Sequence, residues 1–221
     1  QYVSRGGEKL AKALSFFRID PFGLVFLDIG SSTGGFTDCL LQNNAKKVFA
    51  LDVGHGLLHE KLRKNPKVIP LERKNIRYFS PADLPEPIQG ITIDVSFISL
   101  RLIFPVINSL LPESGICIAL IKPQFEAGRD KVERGGLVRK KATHIQVLKD
   151  VLESARDNQL HFQGLTFSPI QGGEGNIEYL AYWRKYTNFF DKTEFGDIIK
   201  KEVQEAHRFF LKQNKSEEKQ L

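Results

Sequence analysis

Apolar residues along the chain gather into seven short runs, most of them unbroken rather than alternating with polar positions. The first five are "GLVFLDIG" (23–30), "KVFALDVG" (47–54), "KVIPLER" (67–73), "GITIDVSF" (90–97) and "GICIALIK" (115–122). Between them lie stretches of helical character, "GGFTDCLLQNNA", "LLHEKLRKN" and "LRLIFPVINSLL". Continuous apolar strands separated by helices predict a parallel sheet covered on both faces. The helix "ATHIQVLKDVLESARDNQ" (142–159) then leads into the last two runs, "LHFQGLTFSPI" (160–170) and "NIEYLAYWRK" (176–185).

Only "QGGEG" separates those last two strands. A parallel crossover needs about a dozen residues or more, so this pair is expected to form an antiparallel hairpin. The predicted fold is therefore α/β, a seven-stranded, mostly parallel sheet with a C-terminal antiparallel hairpin and helices on both faces. That arrangement resembles Rossmann-like methyltransferases, whereas an NAD-binding domain more often stays parallel throughout. Residues 1–185 are expected to form this domain. Residues 186–221 are expected to be a charged tail with a helix over "FGDIIKKEVQEAHRFFLKQ" and a disordered polar end.

Composition narrows the class only slightly. Of 221 residues, 41% are apolar and 26% charged, ordinary for a soluble globular protein. A net charge of +6 suits a nucleic-acid partner, and equally a soluble protein that is merely basic. Cys39 and Cys117 lie in apolar surroundings without CxxC spacing and read as reduced core residues. His55, His59, His144, His161 and His207 show no metal-ligand spacing, so no metal is expected. No run approaches eighteen consecutive apolar residues, and "QYVSRGGEKL" has no signal-peptide character. A cytoplasmic protein without membrane contact is expected. Because it opens on Gln1 and contains no methionine, the sequence is expected to be an excerpt.

Candidate chemistry begins between the first strand and the first following helix, in "FLDIGSSTGGFTDCLL". Glycines there let backbone N–H groups approach a ligand at the positive end of a helix. A P-loop would need Gly-Lys-Ser/Thr, but Phe36 follows Gly35. The dinucleotide fingerprint fails as well, because Ser32 holds the middle glycine position. What remains is D-x-G-x-x-x-G, Asp28-Ile29-Gly30 with Gly34, the pattern of S-adenosylmethionine (SAM) sites. Asp52, ending the second strand, is placed to accept hydrogen bonds from a ribose diol. A simple turn of glycines beside a strand-end aspartate is the competing reading.

Charged residues also end apolar strands. Asp94 closes the fourth strand, Lys122 closes the fifth, and Glu178 opens the last, antiparallel one, so all three are expected at one sheet edge. Lys9, on the helix "GGEKLAKALSFF", is a possible fourth member. Burying an ammonium is costly unless it is paired or loses its proton. A lysine freed of its proton by desolvation and a second cation can take the proton of a ribose 2′-hydroxyl as that oxygen attacks a methyl group. Taken singly, each of these residues is as well explained by a structural salt bridge.

"YVSRGGEKLAKAL", "LDIGSSTGGFTDCLL", "LDVGHGLLHEKLR", "DVSFISLRLI", "IKPQFEAGRDKV" and "SPIQGGEGNIEYL", in that order, closely resemble the TlyA (hemolysin A) group of FtsJ-like methyltransferases over residues 2 to 185. The resemblance implies SAM-dependent 2′-O-methylation of ribosomal RNA, on cytidine. It implies a Lys-Asp-Lys-Glu catalytic tetrad, which falls on Lys9, Asp94, Lys122 and Glu178. It also implies SAM contacts at Asp28, at Gly30, Ser31, Thr33, Gly34 and Gly35 of the loop, and at Asp52, Asn75 and Asp94. The family's small N-terminal RNA-binding domain is absent from this sequence, so weak or no activity is expected of this portion alone.

The stretch "EAGRDKVERGGLVRKKATH" (126–144) follows directly on the lysine strand and is basic. Arg129, Lys131, Arg134, Arg139, Lys140 and Lys141 are expected to overhang the site and meet RNA phosphates, against the alternative of a solvated loop. "HEKLRKNPK" (59–67) reads as a solvated helix face. Two other functions compete with RNA methylation. One is a non-enzymatic RNA-binding or ribosome-assembly protein of the same fold, against which the intact tetrad argues. The other is a pore-forming cytolysin, which no amphipathic or membrane-spanning segment supports. The expected partners are ribosomal RNA or ribosomal subunits.

Overall fold

Each apolar run becomes a strand, and several stop short where the chain turns toward the cleft. The computed structural model describes residues 1–187 and 192–217. The strands are β1 (Val25–Ile29), β2 (Lys47–Asp52), β3 (Val68–Glu72), β4 (Gly90–Ile93), β5 (Ile116–Ile121), β6 (Leu160–Phe167) and β7 (Tyr179–Lys185). They form one sheet in the order β3-β2-β1-β4-β5-β7-β6. The first five are mutually parallel, and β7 enters antiparallel between β5 and β6. The expected sheet and its C-terminal hairpin are therefore present.

The helices are α1 (Gly6–Phe17), α2 (Gly35–Gln42), α3 (Glu60–Arg63), α4 (Phe104–Leu110), α5 (Pro123–Glu126), α6 (Lys141–Asp157) and α7 (Gly196–Glu217). The expected helix over "LRLIFPVINSLL" is broken into a 3₁₀ turn, Leu100–Leu102, and α4. Pro105 sits in the first turn of α4, where its missing N–H costs no hydrogen bond. The helix expected in the charged tail is α7, and it runs on to Glu217, past the point where disorder was expected. The rest of that polar end, 218–221, lies outside the described residues.

Period-two alternation divides the strand side chains between two cores. Leu27, Ile29, Ile93, Cys117, Ala119, Ile121, Tyr179 and Trp183 face the layer of α4, α6 and α7, joining Ile107, Leu148 and Val203 in one cluster. Phe26, Ile118, Leu120, Leu180 and Tyr182 face the other way, against Leu10 and Leu14 of α1 and Phe36 and Leu40 of α2. The sheet is thus buried on both sides, which is why its strands read as unbroken apolar runs.

Gly90 shows how tightly the α1 face is filled. A Cβ there would overlap the ring of the fully buried Phe26. Gly90→Val is expected to lower stability by about 1–3 kcal/mol through overpacking, read as a reduced urea midpoint. An unchanged midpoint would mean that Phe26 has room to yield.

Candidate active site

The alternation that builds the two cores also gathers the charges. On β1, β4, β5 and β7 the even-numbered positions face α1, and continuing the pleat one residue past each strand end puts Asp94, Lys122 and Glu178 on that face. The β5–β7 register, which pairs Ile121 with Tyr179, continues to Lys122 opposite Glu178. Lys9 reaches the same place from α1. Its Nζ lies 2.6 Å from Glu178 Oε2, with the two side chains 12% and 2% exposed. Lys122 Nζ lies 2.7 Å from Asp94 Oδ1 and donates a hydrogen bond to Ser96 Oγ at 3.0 Å. The four expected residues therefore form two ion pairs, each joining one lysine to one carboxylate. A Cβ on Gly172 would collide with Glu178 Oε1, so a larger residue there would have to displace that carboxylate.

The glycine loop lies beside these pairs. Gly30 adopts a left-handed φ of 78°, and a Cβ on it would fall 2.6 Å from the carbonyl oxygen of Asp94. Only glycine lets the two strand ends come so close. Asp52 accepts hydrogen bonds from the N–H of Ser32 in the loop and of Gly54, both at 2.8 Å. The N-terminus of α2, with Gly34 as its N-cap, has no side-chain cap, and since the Thr37 amide bonds Asp28, it is the amides before it that are left for a ligand. Asn75 accepts from the Arg77 N–H at 3.0 Å and lines the cleft.

Two cavities meet at Gly30, Ser32 and Asp94. The larger, about 1150 Å³, runs from Asp52 and Asn75 along an apolar wall that includes Leu51, Ile76 and Val95, and ends at Phe125 and Arg129. The smaller, about 240 Å³, is lined by Lys9, Ser31, Thr33, Gly35 and Gly172. A carboxylate at a strand end, uncapped helix amides and an apolar wall suit the ribose, the amino-acid end and the base of SAM respectively. The donor and acceptor set therefore fits the cofactor. The larger cleft exceeds the roughly 300–1,000 Å³ of a small-molecule pocket, leaving room for part of a second substrate.

Asp28 does not line either cavity. It is fully buried beneath the loop, where Thr37 of α2 and Thr92 of β4 donate hydrogen bonds to its two oxygens at 2.7 and 2.9 Å. The strand alternation that aims Asp94 at the site sends Asp28 under α2 instead. Burial pushes its carboxyl up to about 7, against the opposing pull of the two threonine hydroxyls, and nearby Asp94 adds to the rise.

Several residues of the site were not apparent in the sequence. Ser96 holds Lys122. Glu126, buried, accepts from Ser99 Oγ at 2.5 Å and from the Leu100 N–H at 2.7 Å, tying the loop after β4 to α5, which begins directly after Lys122. Burial raises its carboxyl above the usual range, while those two hydrogen bonds oppose the rise. Phe97 stands 90% exposed with a left-handed φ of 64°, its ring centroid 4.9 Å from that of Phe125. A bulky residue in that backbone region carries strain. The sequence signal for all four was contiguity with "DVSF" and "KPQFE", but polar and aromatic residues after a strand end read as ordinary loop.

The basic stretch is only partly assembled over the cleft. Arg129 lines its rim. Lys131 is exposed beside it, and Arg134 begins a tight turn made by Gly135 and Gly136, both with left-handed φ. Arg139 instead pairs with Glu133 at 3.3 Å and lines a separate cavity toward α7. Lys140 occupies the position before α6, with Lys141 as the first residue of that helix. Among the described residues, no cluster of His, Cys, Asp or Glu could hold a metal ion, and no helix is long and apolar enough to cross a membrane.

Comparison with known proteins gives the family and its fold. The FtsJ-like methyltransferase family profile matches residues 2–185. The chain is 47% identical over 219 residues to YqxC of Bacillus subtilis, spanning 98% of this chain and 78% of that protein. It is 38% identical over 187 residues to TlyA of Mycobacterium tuberculosis, a 16S/23S rRNA (cytidine-2′-O)-methyltransferase, spanning 85% of this chain and 70% of that one. The solved structure of a candidate hemolysin from Streptococcus thermophilus superposes with a TM-score of 0.93 at 46% identity, covering 97% of this chain and 78% of that one.

Asp28 gives the site a measurable signature. Its folded-state proton affinity lies above its ordinary value of 3.8, so between about pH 4 and 7 the folded state binds more protons than the unfolded state. Stability then falls as pH rises through that window, by at most about 1.4 kcal/mol per pH unit. Asp28→Asn keeps partners for both threonines and carries no charge. The urea stability of the wild type relative to Asp28→Asn is expected to decline from pH 4 to 7, and a pH-independent difference would refute the assignment.

Proposed function

The chain belongs to the FtsJ-like methyltransferase family, and on that premise we propose that it methylates the 2′-hydroxyl of a cytidine ribose in ribosomal RNA. Family membership implies SAM as the cofactor. The observation that carries the reading is the pair of lysine–carboxylate contacts, Lys9–Glu178 and Lys122–Asp94, flanking the junction of the two cavities. The cytidine and ribosomal RNA assignments draw on the name of the mycobacterial relative.

In this reading the cofactor supplies an electrophilic methyl group on a sulfonium sulfur. Asp52, Asn75 and the loop residues Gly30, Ser31, Thr33, Gly34 and Gly35 bind it, with Asp28 holding the loop from below. Lys122 in its amine form takes the proton of the 2′-hydroxyl, and Asp94 and Ser96 fix the position of its Nζ. Lys9 brings a second ammonium to the same sheet edge, and Glu178 keeps Lys9 in place. Residues 1–185 constitute the methyltransferase unit, with the region from 186 onward contributing α7.

RNA enters across the rim formed by Arg129, Lys131 and Arg134, whose charge serves phosphates rather than bases. Arg139 and Lys140 flank that path, although Arg139 shares its charge with Glu133. Phe97 offers an exposed ring beside Lys122's partners, suited to stacking on a base whose ribose is presented to Lys122.

Lys122→Arg separates a base from a structural ion pair. Arginine keeps the positive charge but does not give up its proton. We expect methyl transfer into ribosomal RNA, followed with tritiated SAM, to fall by roughly 10²-fold or more, with calorimetric SAM affinity within about 2-fold of wild type. Substantial activity in Lys122→Arg would reduce Lys122 to an electrostatic role. No SAM binding by the wild type would remove the cofactor assignment itself.

A further inference from the structure

The basic loop and the turn leading to Glu178 are joined by one buried side chain. Asn176 is 2% exposed and makes three hydrogen bonds. Its Oδ1 accepts from the Val138 N–H at 3.0 Å. Its Nδ2 donates to the carbonyl oxygens of Gly136 at 2.9 Å and Gly173 at 3.2 Å. The first two partners belong to the segment whose reverse turn, Glu133 to Leu137, carries Arg134. The third belongs to the turn that delivers Glu178.

A second tie runs parallel to the first. His144 is fully buried and lies 2.7 Å from both the Val138 carbonyl oxygen and the Tyr179 hydroxyl. A carbonyl only accepts, so Nε2 carries the proton toward Val138 and Nδ1 accepts from Tyr179. Both backbone groups of Val138 are therefore held by side chains, one two residues before Glu178 and the other bonded to the residue just after it. Asn176 and His144 lie in neither of the two cavities that meet at Asp94.

We infer that Asn176, seconded by His144, is a positioning residue that locks the Arg134 turn to the Glu178 turn, so that RNA seated on the one fixes the Lys9–Glu178 pair on the other. The inference rests on the proposed RNA reading for its consequence in catalysis, but the lock itself is a property of the fold. Asn176→Ala removes all three hydrogen bonds. Asn176→Asp keeps the acceptor for Val138 and sets a carboxylate oxygen against two carbonyls, so it fills the same space with the tie broken.

Two measurements on the full chain test this separately. In the first, tryptic cleavage after Arg134 and amide exchange at Val138 are compared between wild type and both variants. Cleavage is expected to rise about tenfold or more, with SAM affinity within about 2-fold as the check that the fold persists. Unchanged cleavage and exchange in both variants would overturn the lock, whatever the substrate. In the second, a double-mutant cycle measures methyl transfer to ribosomal RNA. Asn176→Ala and Arg134→Ala are each expected to reduce kcat/KM severalfold, while Arg134→Ala costs little more once Asn176 is gone. Simply multiplicative losses would overturn the coupling between the two turns. A wild type that methylates no RNA would refute the proposed function while the cleavage and exchange result still decided the lock.

Discussion

An ammonium group left 12% exposed among packed side chains cannot stand alone, and the structure holds two of them side by side. Each must bring its carboxylate, and the sheet supplies both. A strand running outward ends on Asp94 and a strand running inward begins on Glu178, so the insertion of an antiparallel β7 is what places the second acid at the same edge. Were β7 parallel, its first residues would lie at the opposite edge and Lys9 would have no partner. The mixed topology and the left-handed Gly30 that lets β1 and β4 end in contact both serve that pairing of charges.

Around the pairs lies a set of cross-loop ties made by short buried polar side chains. Glu126 joins the loop after β4 to α5, Asp28 joins α2 to β4, and Asn176 joins the basic turn to the approach to β7. Such groups are stable inside only when satisfied, so each tie also forbids the loops from shifting independently. The strained backbone at Phe97 persists next to the Glu126 tie. Rigidity in this molecule is thus concentrated in the connections rather than in the strands alone.

Much of this was legible in the sequence because it rests on periodicity. Unbroken apolar runs gave the doubly covered sheet, the short "QGGEG" link forced the hairpin, and a charge ending an apolar strand marked Asp94, Lys122 and Glu178. What was not legible depends on depth rather than order along the chain. Asp28 lies one turn of the pleat away from the charges it resembles, and the sequence motif that names it does not say which side of the loop it faces. Glu126 closes the short α5 and Asn176 sits in a loop, positions where polar residues are expected in water, and only the packing of two other segments reveals that they are buried, while Ser96 stays exposed and is marked only by its bond to Lys122. The charged tail carried Ile199, Val203 and Phe210 at helical spacing, yet its many lysines and glutamates hid a face that completes one core.

The Lys9–Glu178 contact spans 169 positions of the chain. In chain order the lysine precedes β1 to β5 and the glycine loop, and its acid follows them all. Without the residues from 178 onward, Lys9 lacks its acid at this edge and β5 lacks one of its two neighbours. Only insertion of β7 closes both deficits in one step. The same segment thus completes both the sheet and its charge pairs, so a chain cut before Glu178 lacks the two together.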